Sequence, residues 1–314
     1  MKRLFFPLIC MISLLFLLSA CQTQKTPDTP LHSVSAPVKM QKSGSASIPD
    51  LKPTPPTRPI PTQPQTPPLP TPSVSQTATP SPAPSSTPKQ QNTLYILMYH
   101  SVVEDGTECN NWTITTGRLR EDLQWITENG YTTVLPREVI TGTPLPEKAV
   151  MLTFDDGYAD NYTLLYPILQ EYNAKAVISL VTKCVSDEYA TGFLNWEQCR
   201  EMAQSGLVEF GSHTYGLHTN GITRLEGECR EDYEARVFPD LQQSIDQIRD
   251  NIGTSPVFFA YPHGKTDSWA NEFLSDHFEM SVTTAFGPAQ LSKGLYNLPR
   301  HNITVNHKAS RFLK

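Results

Sequence analysis

Basic residues are scarce in the part of the chain that reads as folded. From Thr93 to Lys314 there are 17 Lys and Arg against 29 Asp and Glu, a net charge of −12 with His neutral. A surface of that sign repels a phosphate backbone, which argues against nucleic acid as a partner; its plainest meaning is solubility. Cysteine is also sparse, at six in 314 residues, and Cys109, Cys184, Cys199 and Cys229 have no zinc-site spacing. Apolar runs of bilayer length are missing beyond the N-terminus, which excludes a polytopic membrane protein. Proline is thin over most of the chain: nine of the 28 fall from Pro136 onward, while 18 crowd between Pro27 and Pro88. That crowded segment, rich in Ser, Thr and Gln, has too few apolar side chains to offset its chain entropy. The remainder, 93–314, suffices for one well-packed domain and excludes a multidomain machine or a coiled coil.

What is present at the start is an export signal. Lys2 and Arg3 precede an apolar run from Leu4 to Leu18 and then Ser19-Ala20-Cys21, the order of a secretory leader. The ending Leu18-Ser19-Ala20-Cys21 resembles the bacterial lipoprotein cleavage site, which implies removal of residues 1–20 and lipidation of Cys21. The alternative is an uncleaved membrane anchor, since the run approaches the roughly 17 residues that span a bilayer. Either reading exports the domain. Residues 21–92 then form a disordered Pro/Ser/Thr-rich linker; ~70 residues at roughly 3.1 Å each reach at most about 200 Å. In an oxidising compartment the four remaining cysteines allow two disulfides in three pairings, or free thiols; one bridge is expected.

From Leu94 onward short apolar runs alternate with amphipathic stretches. Strands are predicted at 94–99, 132–135, 149–154, 176–181, 207–211, 257–261 and 280–285. Helices are predicted around Leu119, Leu123 and Ile126, over 161–172 despite Pro167, from Trp196 with Asn195 as N-cap, from Pro239 to Gly253, and from an Asp267 cap to Phe278. Repeated β-then-α units predict an α/β fold with a parallel sheet and helices outside it, and ligands in such folds sit at the carboxyl ends of the strands.

The unusual polar clusters all follow predicted strands: Asp155-Asp156-Gly157-Tyr158, Ser212-His213-Thr214-Tyr215-Gly216-Leu217-His218, His100, and Pro262-His263-Gly264. On a closed parallel sheet four such ends converge. Adjacent carboxylates point in different directions, so one can bind a cation while the other stays free as a base. His213 and His218 are five apart, an offset that neither a helix nor a strand brings to one point, so a loop must wrap them inward. Two imidazoles and a carboxylate make a three-ligand metal site with open positions.

Thr153-Phe154-Asp155-Asp156-Gly157-Tyr158 with His213-Thr214-x-x-x-His218 resembles the polysaccharide deacetylases of carbohydrate esterase family four over roughly Leu94 to Thr304. The resemblance implies a distorted, incomplete (β/α) barrel and metal-dependent removal of acetyl groups from N-acetylated sugars. Asp155 would be the general base, and Asp156, His213 and His218 would hold a divalent metal, usually zinc, with cobalt, nickel or iron as alternatives. The five-residue histidine spacing and Leu97-Met98-Tyr99-His100 are similar to the poly-β-1,6-N-acetylglucosamine deacetylases of the intercellular-adhesin type. By that likeness His100 is the general acid, with His301 the alternative. The family's Arg-x-Pro-Tyr-Gly motif appears as Ala260-Tyr261-Pro262-His263-Gly264, so the backbone amide of His263 would serve the oxyanion hole. The usual base-orienting arginine is missing there, and Arg300 is the replacement expected.

The expected partners are an N-acetylglucosamine polysaccharide and, through Cys21, a membrane; the domain is expected to be a monomer facing outside the cytoplasm. Peptidoglycan or chitooligosaccharide is the alternative substrate, and a non-catalytic glycan-binding lipoprotein the alternative class. Substrate preference is expected in the loops 186–194 and 221–238.

Overall fold

The computed structural model describes residues 92–142, 144–186 and 191–314. The leader, Cys21 and the Pro-rich segment up to residue 91 lie outside the described residues, as does much of the loop 186–194. Among the described residues no helix is long and apolar enough to cross a membrane.

In chain order the first elements are β1 (Thr93–Tyr99), β2 (Ser101–Val103), β3 (Thr113–Thr115), α1 (Thr116–Glu128), β4 (Thr132–Thr133), α2 (Pro136–Ile140) and β5 (Ala149–Asp156). A wide π-type turn at Asn161–Leu165 leads into α3 (Tyr166–Tyr172), followed by β6 (Ala176–Leu180), α4 (Thr182–Ser186), α5 (Trp196–Gln204) and β7 (Val208–Ser212). The rest comprises α6 (Arg230–Ile252), β8 (Phe258–Ala260), α7 (Asn271–His277), β9 (Met280–Phe286), β10 (Ala289–Gln290) and β11 (Leu298–Asn302). Seven of these strands close a parallel barrel in the order β1-β5-β6-β7-β8-β9-β11, with β11 returning to β1. This is the (β/α) barrel that the family resemblance implies, with seven strands. Strand β4 extends the sheet beside β5, and β10 runs antiparallel to β1.

Period-two alternation divides the strands between two apolar layers. Leu94, Ile96, Ala149, Met151, Val177, Phe258, Ala260, Met280, Val282 and Leu298 pack together inside the barrel. Leu97, Tyr99, Val150, Leu152, Phe154, Ile178, Leu180 and Phe210 face outward and are covered by Leu119, Leu123, Ile126, Leu169, Cys199 and Met202 of the helices. The interior column of β5 therefore rises Ala149, Met151, Thr153, Asp155, which delivers a carboxylate to the top of a greasy interior.

Local signals account for most of the helices. The Thr115 side chain caps α1 by accepting from Arg118 N–H, and Asn195 with Gln198 forms a reciprocal capping box on α5. Pro167 sits in the first turn of α3, where a missing N–H costs nothing. Three expectations need correction. The helix expected to start at Pro239 begins at Arg230 and carries Pro239 inside it, capped by Cys229 and ended by Gly253. Half of the expected specificity loop 221–238 is therefore helical. Asp267 does not cap a helix to Phe278; α7 starts four residues later, and Asp267 instead accepts from the N–H groups of Trp269 and Arg224. Strand β11 was absent from the expected set, because Pro299 cannot donate to a ladder; the structure accommodates it where the β9–β11 register shifts between Leu298 and Arg300.

The expected disulfide is also absent. Among the described residues Cys109, Cys199 and Cys229 are free thiols: Cys199 is buried in the core, where desolvation lifts its pKa to about 12, and Cys229 caps α6.

Phe154 is fully buried and stacks on its register partner Tyr99 with ring centroids 4.9 Å apart. Phe154→Ala is expected to cost about 3–5 kcal/mol of folding free energy, read as a lowered urea midpoint at unchanged m-value.

Candidate active site

The carboxyl ends of the barrel strands surround a cleft of about 450 Å³ lined by Asp155, Asp156, His213, His218, His100 and His263, together with Met98, Trp112, Tyr158 and Asn302. The four motif clusters singled out in the sequence thus meet in one place.

Asp155 is the last inward residue of β5 and is almost wholly buried. Arg300, fully buried on β11, holds it with two parallel hydrogen bonds, Nη1 to Oδ1 at 2.9 Å and Nη2 to Oδ2 at 2.7 Å. The same guanidinium donates from Nε to the Thr283 carbonyl at 2.8 Å and from Nη1 to Thr153 Oγ1 at 3.0 Å, so its fork is fixed on three sides. Burial alone would raise the Asp155 pKa, but Arg300 and then His213 hold it below the ordinary carboxylate value. Each carboxylate oxygen keeps a lone pair beyond the one facing arginine.

Strand alternation would send Asp156 away from Asp155. A left-handed backbone at Asp156 (φ +79°), followed by Gly157 (φ +78°), turns its side chain toward the histidines instead. His213 and His218 aim their Nε2 atoms at the same oxygen, Asp156 Oδ1, from 3.6 and 3.2 Å. That oxygen is buried, and among the described residues no group besides the two imidazoles reaches it. His213 Nδ1 lies 2.7 Å from the Ala260 carbonyl; a carbonyl only accepts, so Nδ1 carries the proton and Nε2 presents its lone pair. The loop between the histidines is wound by a left-handed Thr214 (φ +76°), and its Thr214 and Tyr215 carbonyls accept from the first N–H groups of α4. One donor atom from each of Asp156, His213 and His218 falls within 4.8 Å of the others. A buried carboxylate oxygen on which two imidazole Nε2 atoms converge becomes, once His218 gives up the proton that Asp156 favours on it, a donor set for a divalent cation with open positions left for water and substrate. Burial raises the Asp156 pKa, yet the imidazoles of His218, His213 and His100 outweigh it and keep the group ionised.

His100 lies just past β1 with its Nδ1 buried and unpartnered. Its position is set from beneath: Asn161 Nδ2 donates to the His100 carbonyl at 3.0 Å, and Asp160 accepts from Ser101 Oγ at 2.6 Å and from Val102 N–H at 3.0 Å. Trp112 packs across its ring at 4.8 Å and is half exposed in the cleft. Burial lowers the His100 pKa, more than Asp155 and Asp156 raise it, so its imidazolium is a stronger acid than a free one. His301 follows Arg300 on β11 and faces the other way, sandwiched by Tyr95 and Phe312 at 6.0 and 4.6 Å. It does not line the cleft, whereas His100 does. His263 does line it, with a left-handed backbone (φ +56°) and its Nε2–H committed to the His218 carbonyl at 2.9 Å. Only its backbone N–H is therefore in question as a donor to substrate. Gly264 follows because a Cβ there would fall 2.1 Å from Thr284 Oγ1.

Sequence reasoning missed Asp160, Asn161 and Trp112. Asp160 and Asn161 lie four and five residues past Asp156 in an ordinary polar run, and only the fold brings them beneath His100. Tyr158, which also lines the cleft, stacks on Phe193 at 5.4 Å; burial and the Asp156 carboxylate push its phenol up, so it stays neutral.

The family model for polysaccharide deacetylase matches residues 142–277. The chain is 30% identical over 263 residues to the poly-beta-1,6-N-acetyl-D-glucosamine N-deacetylase of Escherichia coli (strain K12), covering 72% of this chain but only 38% of that protein. It is also 30% identical over 225 residues to YxkH of Bacillus subtilis (strain 168), a protein named for the polysaccharide deacetylases, covering 70% of this chain and 74% of that one. Among solved structures it is similar to the Streptococcus pyogenes deacetylase PplD in complex with acetate, with a TM-score of 0.60, 26% identity, and coverage of 71% of this chain and 98% of that one.

The Arg300–Asp155 pair gives a stability test. Arg300→Met strands a buried charge and is expected to cost about 3–5 kcal/mol. Adding Asp155→Leu removes the stranded charge, so the double variant should recover most of that loss in the same urea titration.

Proposed function

Because the chain belongs to the polysaccharide deacetylase family, we propose that it hydrolyses the acetamide of an extracellular N-acetylglucosamine polymer, and that the polymer is β-1,6-linked. One observation carries the reading: an ionised carboxylate fixed by a buried arginine stands in the same cleft as an Asp–His–His donor set whose ligand atoms converge. The β-1,6 linkage is supported by the name of the Escherichia coli relative, of which this chain spans well under half.

In this reading Asp156, His213 and His218 hold the cation, and zinc suits a donor set of two nitrogens and one oxygen. Bound there, a divalent cation would lower the pKa of water and polarise the amide carbonyl. Asp155 accepts the proton of the attacking water, and Arg300 keeps that base ionised and aimed. The backbone N–H of His263 faces the oxygen that gains charge as the carbonyl carbon becomes tetrahedral. His100 gives its proton to the departing amine nitrogen, so that acetate and a free amine leave. Trp112 and the Tyr158–Phe193 stack flank the cleft as flat apolar surfaces for sugar rings. We further propose, on the sequence alone, that residues 1–20 are removed, that Cys21 is lipidated, and that residues 93–314 act outside the cytoplasm as a monomer at the end of the linker.

Purified protein given zinc is expected to release acetate from β-1,6-linked N-acetylglucosamine oligomers faster than from β-1,4-linked oligomers or peptidoglycan fragments, followed by mass spectrometry, and a chelator should abolish the loss. Preference for another glycan would correct the substrate; metal bound with no acetyl loss on any glycan would favour a binding protein. The division of labour is tested by variants. Asp156→Ala and His213→Ala should lose both zinc and turnover, whereas Asp155→Asn should retain zinc by elemental analysis and lose turnover by roughly a hundredfold or more. His100→Asn should retain zinc and turn over slowly; a rate equal to wild type would remove His100 from the acid role.

A further inference from the structure

The loop bearing His213 and His218 is held from behind by one face of α6. Tyr215 N–H donates to Asp240 Oδ1 at 3.0 Å and Gly216 N–H to Asp240 Oδ2 at 2.8 Å. Thr214 N–H donates to Ser212 Oγ at 3.1 Å, and Ser212 Oγ meets Ser244 Oγ at 2.7 Å. Ser244 Oγ also lies 2.7 Å from the Leu241 carbonyl, which can only accept. The direction of the chain is therefore fixed: Thr214 N–H to Ser212, Ser212 O–H to Ser244, Ser244 O–H to Leu241. Asp240 and Ser244 are four residues apart, so both contacts leave the same side of the helix.

Asp240 is not needed by α6 itself. It lies eleven residues inside the helix, far from either cap, and both of its oxygens are spent on the loop's backbone. The loop does need it. Thr214 is in the left-handed region (φ +76°), which a β-branched residue leaves unless the surroundings hold it there. Release of residues 214–217 would leave His218, which is 30% exposed, held only by His263 at its carbonyl, whereas His213 is fixed separately by Ala260.

We propose that Asp240 is a positioning residue for the metal site: by clamping two consecutive amides of the His213–His218 loop it sets the distance and angle between the two imidazoles. The proposal rests on the reading of Asp156, His213 and His218 as metal ligands. It predicts a graded loss of affinity, because Asn keeps one acceptor but turns an NH₂ toward the second amide, and Ala offers neither.

Zinc affinity would be measured by competition with a chromophoric chelator, and ligand geometry by the visible absorption of the cobalt(II) form, for the wild-type protein, Asp240→Asn and Asp240→Ala. Far-ultraviolet circular dichroism of the metal-free proteins reports whether each variant folds. Asp240→Ala is expected to bind zinc about ten- to a hundredfold more weakly and to alter the cobalt bands, with Asp240→Asn between it and wild type. Should Asp240→Ala fail to fold, Asp240→Asn and Ser244→Ala supply the comparison. Zinc affinity and cobalt bands equal to wild type in the folded variants overturn the clamp and leave the metal site standing. A wild-type protein that binds neither ion overturns both.

Discussion

A guanidinium and a carboxylate, both out of reach of solvent, sit at the top of an apolar barrel, and much else follows from that one pair. Burying two charges is expensive unless geometry and further hydrogen bonds compensate. Here the arginine fork meets both oxygens of Asp155, and its remaining donors find Thr283 and Thr153. The pair also links two strands far apart in sequence. Arg300 lies on β11, which joins β1 to β9, and Asp155 lies on β5, which joins β1 from the other side. The bond that orients Asp155 thus spans the closure of the barrel, so the geometry of the cleft and the last strand's place in the sheet depend on each other.

The strands that could be read in advance were those whose side chains are apolar on both faces, such as Ala149–Phe154 and Ala176–Val181. They are covered by the interior on one side and by helices on the other, so their apolar runs are nearly continuous. β11 carries Leu298, Pro299, Arg300, His301 and Asn302, a sequence with neither a continuous apolar run nor a ladder donor at Pro299. Its membership in the sheet is a tertiary fact. Arg300 is inside because Asp155 is there to meet it, and His301 is outside because Tyr95 and Phe312 enclose it. Strand alternation was enough to say that Arg300 and His301 could not both face the cleft, once the strand itself had been seen.

The candidate site was legible to a greater depth than the fold. A pair of aspartates before a glycine and two histidines with non-helical, non-strand spacing demanded a turned backbone and a wrapped loop, and left-handed residues at Asp156 and Thr214 supply both. What sequence could not show was the supporting layer. Asp160 and Asn161 beneath His100, and Trp112 across its ring, are common residue types whose neighbours come from distant segments. Pro239 misled for the same reason: α6 runs through it because packing of Tyr233, Val237 and Leu241 on one side outweighs a lost backbone bond.

Three of the non-glycine residues with left-handed backbone, Asp156, Thr214 and His263, lie in or beside the cleft. Each is held in a conformation it would leave if its surroundings loosened, whereas β1, β5, β6 and β7 below pair in continuous parallel register. Among the described residues the rim therefore sets strained backbone above a well-paired sheet. On heating, such a molecule should fail from the rim downward: the catalytic arrangement would be lost through local opening while the sheet still held its shape, and cooling would restore it without any need to refold the barrel.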